Sequence, residues 1–238
     1  MKLIGFSTGS LAKSDFAWAV QILNKVKVNA IELSALRYKE LHPLIKGLDR
    51  LDLRAFKYIS FHAPSDIDPS NEKEVVDQLQ TIKERGWPIV VHPDVIRTKR
   101  YWKTLNGHLC IENMDIRKPT GRTREELEEI FADFPKSKLC FDIAHAKQID
   151  GTMSEAAAIL DAFHDRIRQI HISDVNCSSV HSPINMLAIR TYQKVMPLIP
   201  ENVPVILESP SIDGEDSPEL RSWIRSQISG AREAVGVS

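Results

Sequence analysis

The sequence has few cysteines and no long apolar run, and neither sign of charge predominates. Its 238 residues include only three cysteines, and no two of them form a CxxC pair. This argues against a disulfide framework and favours a reducing compartment. No apolar run is long enough to cross a membrane, and the apolar part of the N-terminus is too short for a signal peptide. We therefore expect a soluble, cytoplasmic protein with no membrane partner.

The positive and negative charges nearly cancel: the sequence has 31 lysines and arginines and 32 aspartates and glutamates, which gives a formal net charge of -1. Dedicated nucleic-acid binders draw much of their affinity from a positive surface, so this balance argues against nucleic acid as a partner. Hydrophobic residues make up 42% of the chain, as in ordinary globular proteins. No Gly/Ser linker or low-complexity tract divides the chain, and we expect one domain over residues 1–238.

Eight short segments have the pattern of buried strands. They are apolar along their whole length instead of alternating, as parallel strands covered by helices are. The segments span residues 3–6, 30–33, 58–61, 89–91, 109–111, 139–141, 170–172 and 203–207.

A helical pattern follows each predicted strand. The clearest helices span residues 15–26 and 72–84, and the weaker ones span 38–48, where Pro43 interrupts, and 95–105. Capping signals at residues 123–126, 152–155, 182–183 and 217–218 predict further helix starts. Eight alternating strands and helices predict either a closed barrel or an open doubly wound sheet. The glycine-rich nucleotide fingerprints of open sheets are absent, so the sequence favours a single (β/α)₈ TIM barrel of class α/β.

Six consecutive predicted strands carry an acidic residue or a histidine at or near the carboxyl end. In a TIM barrel these ends meet at one mouth, where active sites of this fold lie. Three imidazoles and three carboxylates in one place would be costly without a cation, and mixed ligands of this kind suit Zn²⁺, Mn²⁺ or Fe²⁺. Six ligands are enough for two or more ions. The candidate ligands are His62, His92, Glu112, Asp142, His171 and Glu208.

Two further histidines and one basic loop are candidate site residues. His145 lies three residues after Asp142, and His181 lies in the loop after strand seven. Each of them is interpreted as a ligand or as the partner of a loop hydrogen bond. Arg117 and Lys118 lie in the loop after strand five, where capture of a substrate phosphate and simple solvation are equally good interpretations.

Six short motifs in this order resemble a known superfamily. They are residues 61–64 (Phe-His-Ala-Pro), 91–93 (Val-His-Pro), 111–113 (Ile-Glu-Asn), 140–145 (Cys-Phe-Asp-Ile-Ala-His), 171–174 (His-Ile-Ser-Asp) and 207–208 (Leu-Glu). Together they resemble the xylose-isomerase-like TIM-barrel superfamily, which joins endonuclease IV-type enzymes (AP endonuclease family 2) with sugar isomerases and epimerases. The ordered set spans most of the chain and is more specific than any one motif.

The resemblance to endonuclease IV implies up to three metal ions. It implies a first ion held by His62, His92 and Glu112, a second held by Glu112, Asp142, His171 and Glu208, and a third that uses His145 and His181. The sequence departs from this pattern at Ser179, where the endonucleases have an aspartate, and the glycine-rich stretch after the last histidine is missing.

The resemblance to the epimerases implies one ion, held by Glu112, Asp142, His171 and Glu208. It would bind the carbonyl and an adjacent hydroxyl of a sugar, while Glu112 and Glu208 move a proton between the two faces. His145 would contact a substrate oxygen. Glu32, at the end of strand two, would line the pocket or cap a helix.

These observations favour a metal-dependent isomerase or epimerase of a small sugar or sugar phosphate. The expected cofactor is a divalent metal, Zn or Mn, with one to three ions per chain. The alternative is an endonuclease IV-like phosphodiester hydrolase, which His62 and His92 favour because a one-metal epimerase does not need them. A metal-binding barrel without activity is disfavoured, because both acid/base carboxylates are present. The sugar, the native metal and the oligomeric state do not follow from the sequence.

Overall fold

Eight parallel strands close into a barrel in the computed structural model, which describes residues 2–211 and 215–236. Ile4 pairs with Val205, so the first and last strands close the ring. All eight predicted strands are present, and the predicted TIM barrel is confirmed. The barrel strands are β1 (Ile4–Ser7), β2 (Ala30–Ser34), β3 (Tyr58–His62), β4 (Ile89–Val91), β5 (Leu109–Glu112), β6 (Lys138–Asp142), β7 (Ile167–Ile172) and β10 (Val205–Leu207).

Helices surround the barrel, but their alternation with strands is less strict than the sequence predicts. Two helices follow β1 and two follow β6, and a hairpin of β8 (Asp174–Val175) and β9 (His181–Ser182) follows β7. No helix among the described residues is long and apolar enough to cross a membrane. The helices are α1 (Thr8–Ala12), α2 (Phe16–Val26), α3 (Tyr38–Gly47), α4 (Glu72–Glu84), α5 (Lys99–Trp102), α6 (Arg124–Asp133), α7 (Ile143–Ile149), α8 (Ser154–Ala162), α9 (Met186–Tyr192) and α10 (Pro218–Ala234).

Three of the predicted helix starts are confirmed and one is wrong. The Thr123 and Ser217 side chains accept hydrogen bonds from the first turns of α6 and α10. Ser182 lies in β9 instead, and α9 begins four residues later behind a capping asparagine. Helix α8 begins at Ser154, within the signal at residues 152–155, but Met153 is its cap residue, and the Asp150 carboxylate accepts from the backbone N–H of Glu155. In contrast, α3 runs continuously through Pro43.

Inward-facing side chains of the barrel form layers, because alternate residues of each strand point inward. The residues two positions before the ligands form the layer beneath them. Val90, Cys110 and Cys140 pack together there as a fully buried cluster. Burial raises the pKa of the Cys110 thiol to about 12, so this cysteine stays protonated and serves packing.

Candidate metal centre

The six predicted ligands lie together at the mouth formed by the carboxyl ends of the strands. His62, Glu112 and Asp142 are the last residues of β3, β5 and β6. The other three are His92 directly after β4, His171 near the end of β7 and Glu208 directly after β10.

Three adjoining groups of side chains have the composition of metal sites, and in each the donor atoms lie within 4.8 Å of one another. Glu112 belongs to the first two groups, and Asp142 belongs to the last two. The first group is His62, His92 and Glu112; the second is Glu112, Asp142, His171 and Glu208; the third is Asp142, His145 and His181.

The two oxygens of the Glu112 carboxylate face different groups. Oε2 lies 3.2 Å from His62 Nε2 and 3.3 Å from His92 Nε2. Oε1 lies 3.2 Å from His171 Nδ1 and 3.6 Å from His145 Nδ1. Burial alone would raise the pKa of Glu112, but these imidazoles, His171 foremost, hold it well below its usual range. The side chain is therefore an anion placed between two ligand groups.

Two of the histidines are held through the ring nitrogen that faces a backbone carbonyl. Nδ1 of His62 lies 2.7 Å from the carbonyl oxygen of Ala63, and Nδ1 of His145 lies 2.9 Å from that of Asn113. Because a carbonyl oxygen only accepts, Nδ1 carries the proton in both rings. Nε2 is therefore the nitrogen through which each of these rings would bind a metal ion.

The third group draws on the hairpin of β8 and β9. His181 is anchored by its Nδ1, which lies 2.7 Å from the Ser173 hydroxyl. Ser179, at the position where the endonuclease pattern has an aspartate, is buried in a left-handed conformation and donates its hydroxyl to Gln148. The hairpin therefore supplies no carboxylate to this ligand group, and Asp142 is the acid of the group.

Asp142 has the clearest requirement for a cation. Its Oδ1 accepts a hydrogen bond from the backbone N–H of His145 at 2.7 Å. The side-chain amide of Asn113 donates to the backbone carbonyl of Asp142 and accepts from its backbone N–H. Its Oδ2 is buried and has no hydrogen-bond partner among the described residues, and the same is true of His92 Nδ1. Burial raises the pKa of Asp142. A divalent cation would satisfy the orphaned oxygen, so the residues present fit a metal.

A cavity of about 760 Å³ opens over the ligands. Arg117 and Lys118 line it, as the sequence predicts, but each is held by an acid: Arg117 binds Asp115 through two bonds of 3.1 and 3.0 Å, and Lys118 Nζ lies 2.8 Å from Asp94. Burial opposes ionisation of Asp115, but its bonds from Arg117 lower its pKa to about 2. Both cations are therefore fixed in place. The cavity also contains Lys13 and Arg37.

Glu32 is not in the cavity, where the sequence placed it as a substrate-binding residue. Strand β2 continues to Ser34, and its register pairs Glu32 with Ser60, two residues below His62. Glu32 is 0% exposed and lies one layer beneath the ligands. Its carboxylate therefore cannot touch a substrate in the cavity.

No protein-family model matches the sequence, and none of the curated proteins matches it either. Solved structures do share its architecture at low sequence identity. Endonuclease IV from Thermus thermophilus is 19% identical, with a TM-score of 0.64 over 97% of this chain and 99% of its own.

Two sugar-related proteins are similar to the same extent. The 3-keto-D-glucoside 4-epimerase from E. coli is 11% identical, with a TM-score of 0.63 over 96% of this chain and 100% of its own. A protein from Anabaena variabilis with a proposed sugar phosphate isomerase/epimerase activity is 13% identical, with a TM-score of 0.65 over 99% of each chain. These similarities show that the chain has a TIM-barrel fold, and they come from the kinds of protein that its ordered motifs resemble.

Proposed function

We propose that the chain is a metal-dependent hydrolase of phosphate esters with a centre of at least two divalent cations, Zn²⁺ or Mn²⁺. The observation that carries this proposal is the position of Glu112, whose two oxygens face two different ligand groups. A carboxylate placed in this way would serve as a ligand in both groups if cations were bound. Bound cations would supply Lewis-acid charge to a phosphoryl group and activate water for attack.

The surrounding residues support a phosphorylated substrate. Arg117 and Lys118 present fixed positive groups on the cavity wall, and Asp115 and Asp94 hold them in place. Guanidinium and ammonium groups bind phosphate oxygens through charge-assisted hydrogen bonds. The cavity volume and the formal net charge of -1 favour a small phosphate ester over nucleic acid.

The second candidate is the isomerase or epimerase that the sequence favours. It is supported by the group of Glu112, Asp142, His171 and Glu208, which would hold one ion, and by the similarity to a 3-keto-D-glucoside 4-epimerase. The position of Glu112 weighs against it. This side chain is 1% exposed, and imidazole nitrogens surround both of its oxygens. Glu112 and Glu208 both line the cavity, but the Glu208 side chain is 14% exposed, so Glu112 is much the less accessible of the two to a substrate carbon.

Replacement of His92 by alanine separates the two candidates, because His92 belongs to the first group only. We expect the variant to lose one bound ion and to hydrolyse phosphate esters about a hundredfold more slowly or worse, since even residues that only support a ligand cost 10–100-fold. The measurements are metal content per chain and turnover of aryl phosphate monoesters and diesters, with abasic-site DNA in parallel.

The matched control is His164→Ala, because His164 is an exposed histidine that forms an ion pair with its neighbour Asp165. It should leave metal content and turnover unchanged. The contrary result would be that the wild type exchanges solvent protons into ketoses and that His92→Ala retains this exchange. It would support the epimerase and contradict the hydrolase.

A further inference from the structure

We propose that Glu32 is a positioning residue, which fixes His171 for metal binding from inside the barrel. The proposal rests on the metal centre of the proposed function. His171 is fully buried between two sets of partners. Its Nδ1 faces the second ligand group, 3.2 Å from Glu112 Oε1 and 3.6 Å from Glu208 Oε2. Its Nε2 points down the barrel, 3.1 Å from Glu32 Oε1 and 3.2 Å from Glu32 Oε2.

The Glu32 carboxylate is itself held by a buried hydrogen-bond network. The Ser60 hydroxyl donates to Oε2 at 3.0 Å, and the Gln169 amide donates to the same oxygen at 2.7 Å. The Tyr58 hydroxyl donates to Gln169 Oε1 at 2.7 Å, which sets the orientation of that amide. Glu32 is thus a fixed acceptor beneath the ring, and no side chain in this chain of bonds reaches the cavity.

Both nitrogens of His171 face carboxylates, and Nδ1 can bind a metal ion only when it has lost its proton and the remaining proton lies on Nε2. Gln169 Nε2 also lies 2.9 Å from His171 Nε2 and would be its donor if Nδ1 carried the proton. That arrangement would leave Nδ1 unable to bind a cation. Glu32 favours the opposite arrangement, because its Oε2 lies 3.2 Å from His171 Nε2 and an ionised carboxylate only accepts, so it stabilises the proton on Nε2.

Glu32 therefore keeps the Nδ1 lone pair of His171 directed at the second ligand group. Carboxylates that accept from the second nitrogen of a ligating histidine orient the ring and increase its basicity. The simpler interpretation is that Glu32 only completes a buried polar network and contributes to stability. The two interpretations differ in metal affinity, which only the first predicts to depend on Glu32.

Replacement of Glu32 by glutamine tests this role with little change of shape. We expect one bound ion to be held about 10–100-fold more weakly, measured by competition with a chromophoric chelator for Zn²⁺. The visible spectrum of the Co²⁺-loaded protein should also change, because the ring geometry at one ion is altered. Neither measurement depends on any catalytic activity, so a wild type that fails to hydrolyse phosphate esters would leave this test intact.

Glu72→Gln is the matched control. Glu72 is also a buried glutamate with several donors, including the Trp102 indole at 2.8 Å and the backbone N–H of Arg97 at 2.7 Å, but it belongs to α4 and to none of the ligand groups. This variant should lose stability and keep its metal affinity and Co²⁺ spectrum. Equal affinity in Glu32→Gln and wild type, or equal weakening in Glu32→Gln and Glu72→Gln, would overturn the proposal.

A milder variant covers the case in which Glu32→Gln does not fold. Ser60→Ala removes one donor to Glu32 and keeps the carboxylate. We expect a several-fold weaker affinity for one ion together with a smaller change in the Co²⁺ spectrum. Wild-type affinity and spectrum in a folded Ser60→Ala protein would then count against a positioning role.

Discussion

Replacement of Glu112 by glutamine is expected to leave at most one bound ion per chain and to lower turnover about a thousandfold or more, a loss of the size that removal of catalytic groups produces. Glu112 supplies one oxygen to each of two ligand groups. An amide has a single acceptor oxygen and no charge, so it can serve one group at most. The variant thus disrupts two sites through one side chain.

The measurement is metal content per chain after extensive dialysis, together with turnover of an aryl phosphate. Glu126→Gln is a suitable control, because Glu126 lies on helix α6, away from the ligand groups, and forms an ion pair with Arg122. It should retain wild-type metal and turnover. A Glu112→Gln protein with full metal content would show that Glu112 does not join the groups.

Replacement of Gly5 by alanine is expected to prevent folding or to destabilise the barrel severely. Gly5 pairs with Ala30 in the register of β1 and β2. A methyl group at Gly5 would overlap the carbonyl group of Ala30 and approach its Cα to 2.9 Å. Both partners are backbone atoms of adjacent barrel strands, so neither can move without opening the sheet. We expect a loss of about 3 kcal/mol or more in the free energy of unfolding, at or above the usual range for overpacking.

Thermal unfolding measures this effect, and a loss of that size should lower Tm by roughly 6–12 °C in a domain of this length. Gly151→Ala is the control, because a methyl group there would meet no atom within 4 Å. It should change the free energy of unfolding by less than about 1 kcal/mol. A soluble Gly5→Ala protein with the Tm of the wild type would contradict the close approach of β1 and β2.

The barrel and its mouth could be predicted from the sequence because both depend on local signals. Parallel strands covered on two faces are continuously apolar, and the residues that end them are brought together by the fold. His62, Glu112 and Asp142 each follow such a run directly. The topology alone therefore places them side by side.

Other features depend on register and pairing, which single-sequence patterns do not reveal. Glu32 looks like the end of a strand, but β2 continues to Ser34, and this extension moves Glu32 one layer below the mouth. Ser182 has the sequence of a helix cap, but pairing with Asp174 draws it into the hairpin. Asp115, which holds Arg117 two residues later, is recognisable only once the turn between them is known.

A centre of at least two metal ions is tested most directly by the number of metal ions per chain in the dialysed wild-type protein, measured by elemental mass spectrometry. We expect two or more divalent cations, because Glu112 and Asp142 each belong to two of the three ligand groups. A single tightly bound ion per chain, with no second ion taken up when Zn²⁺ or Mn²⁺ is supplied, would contradict it.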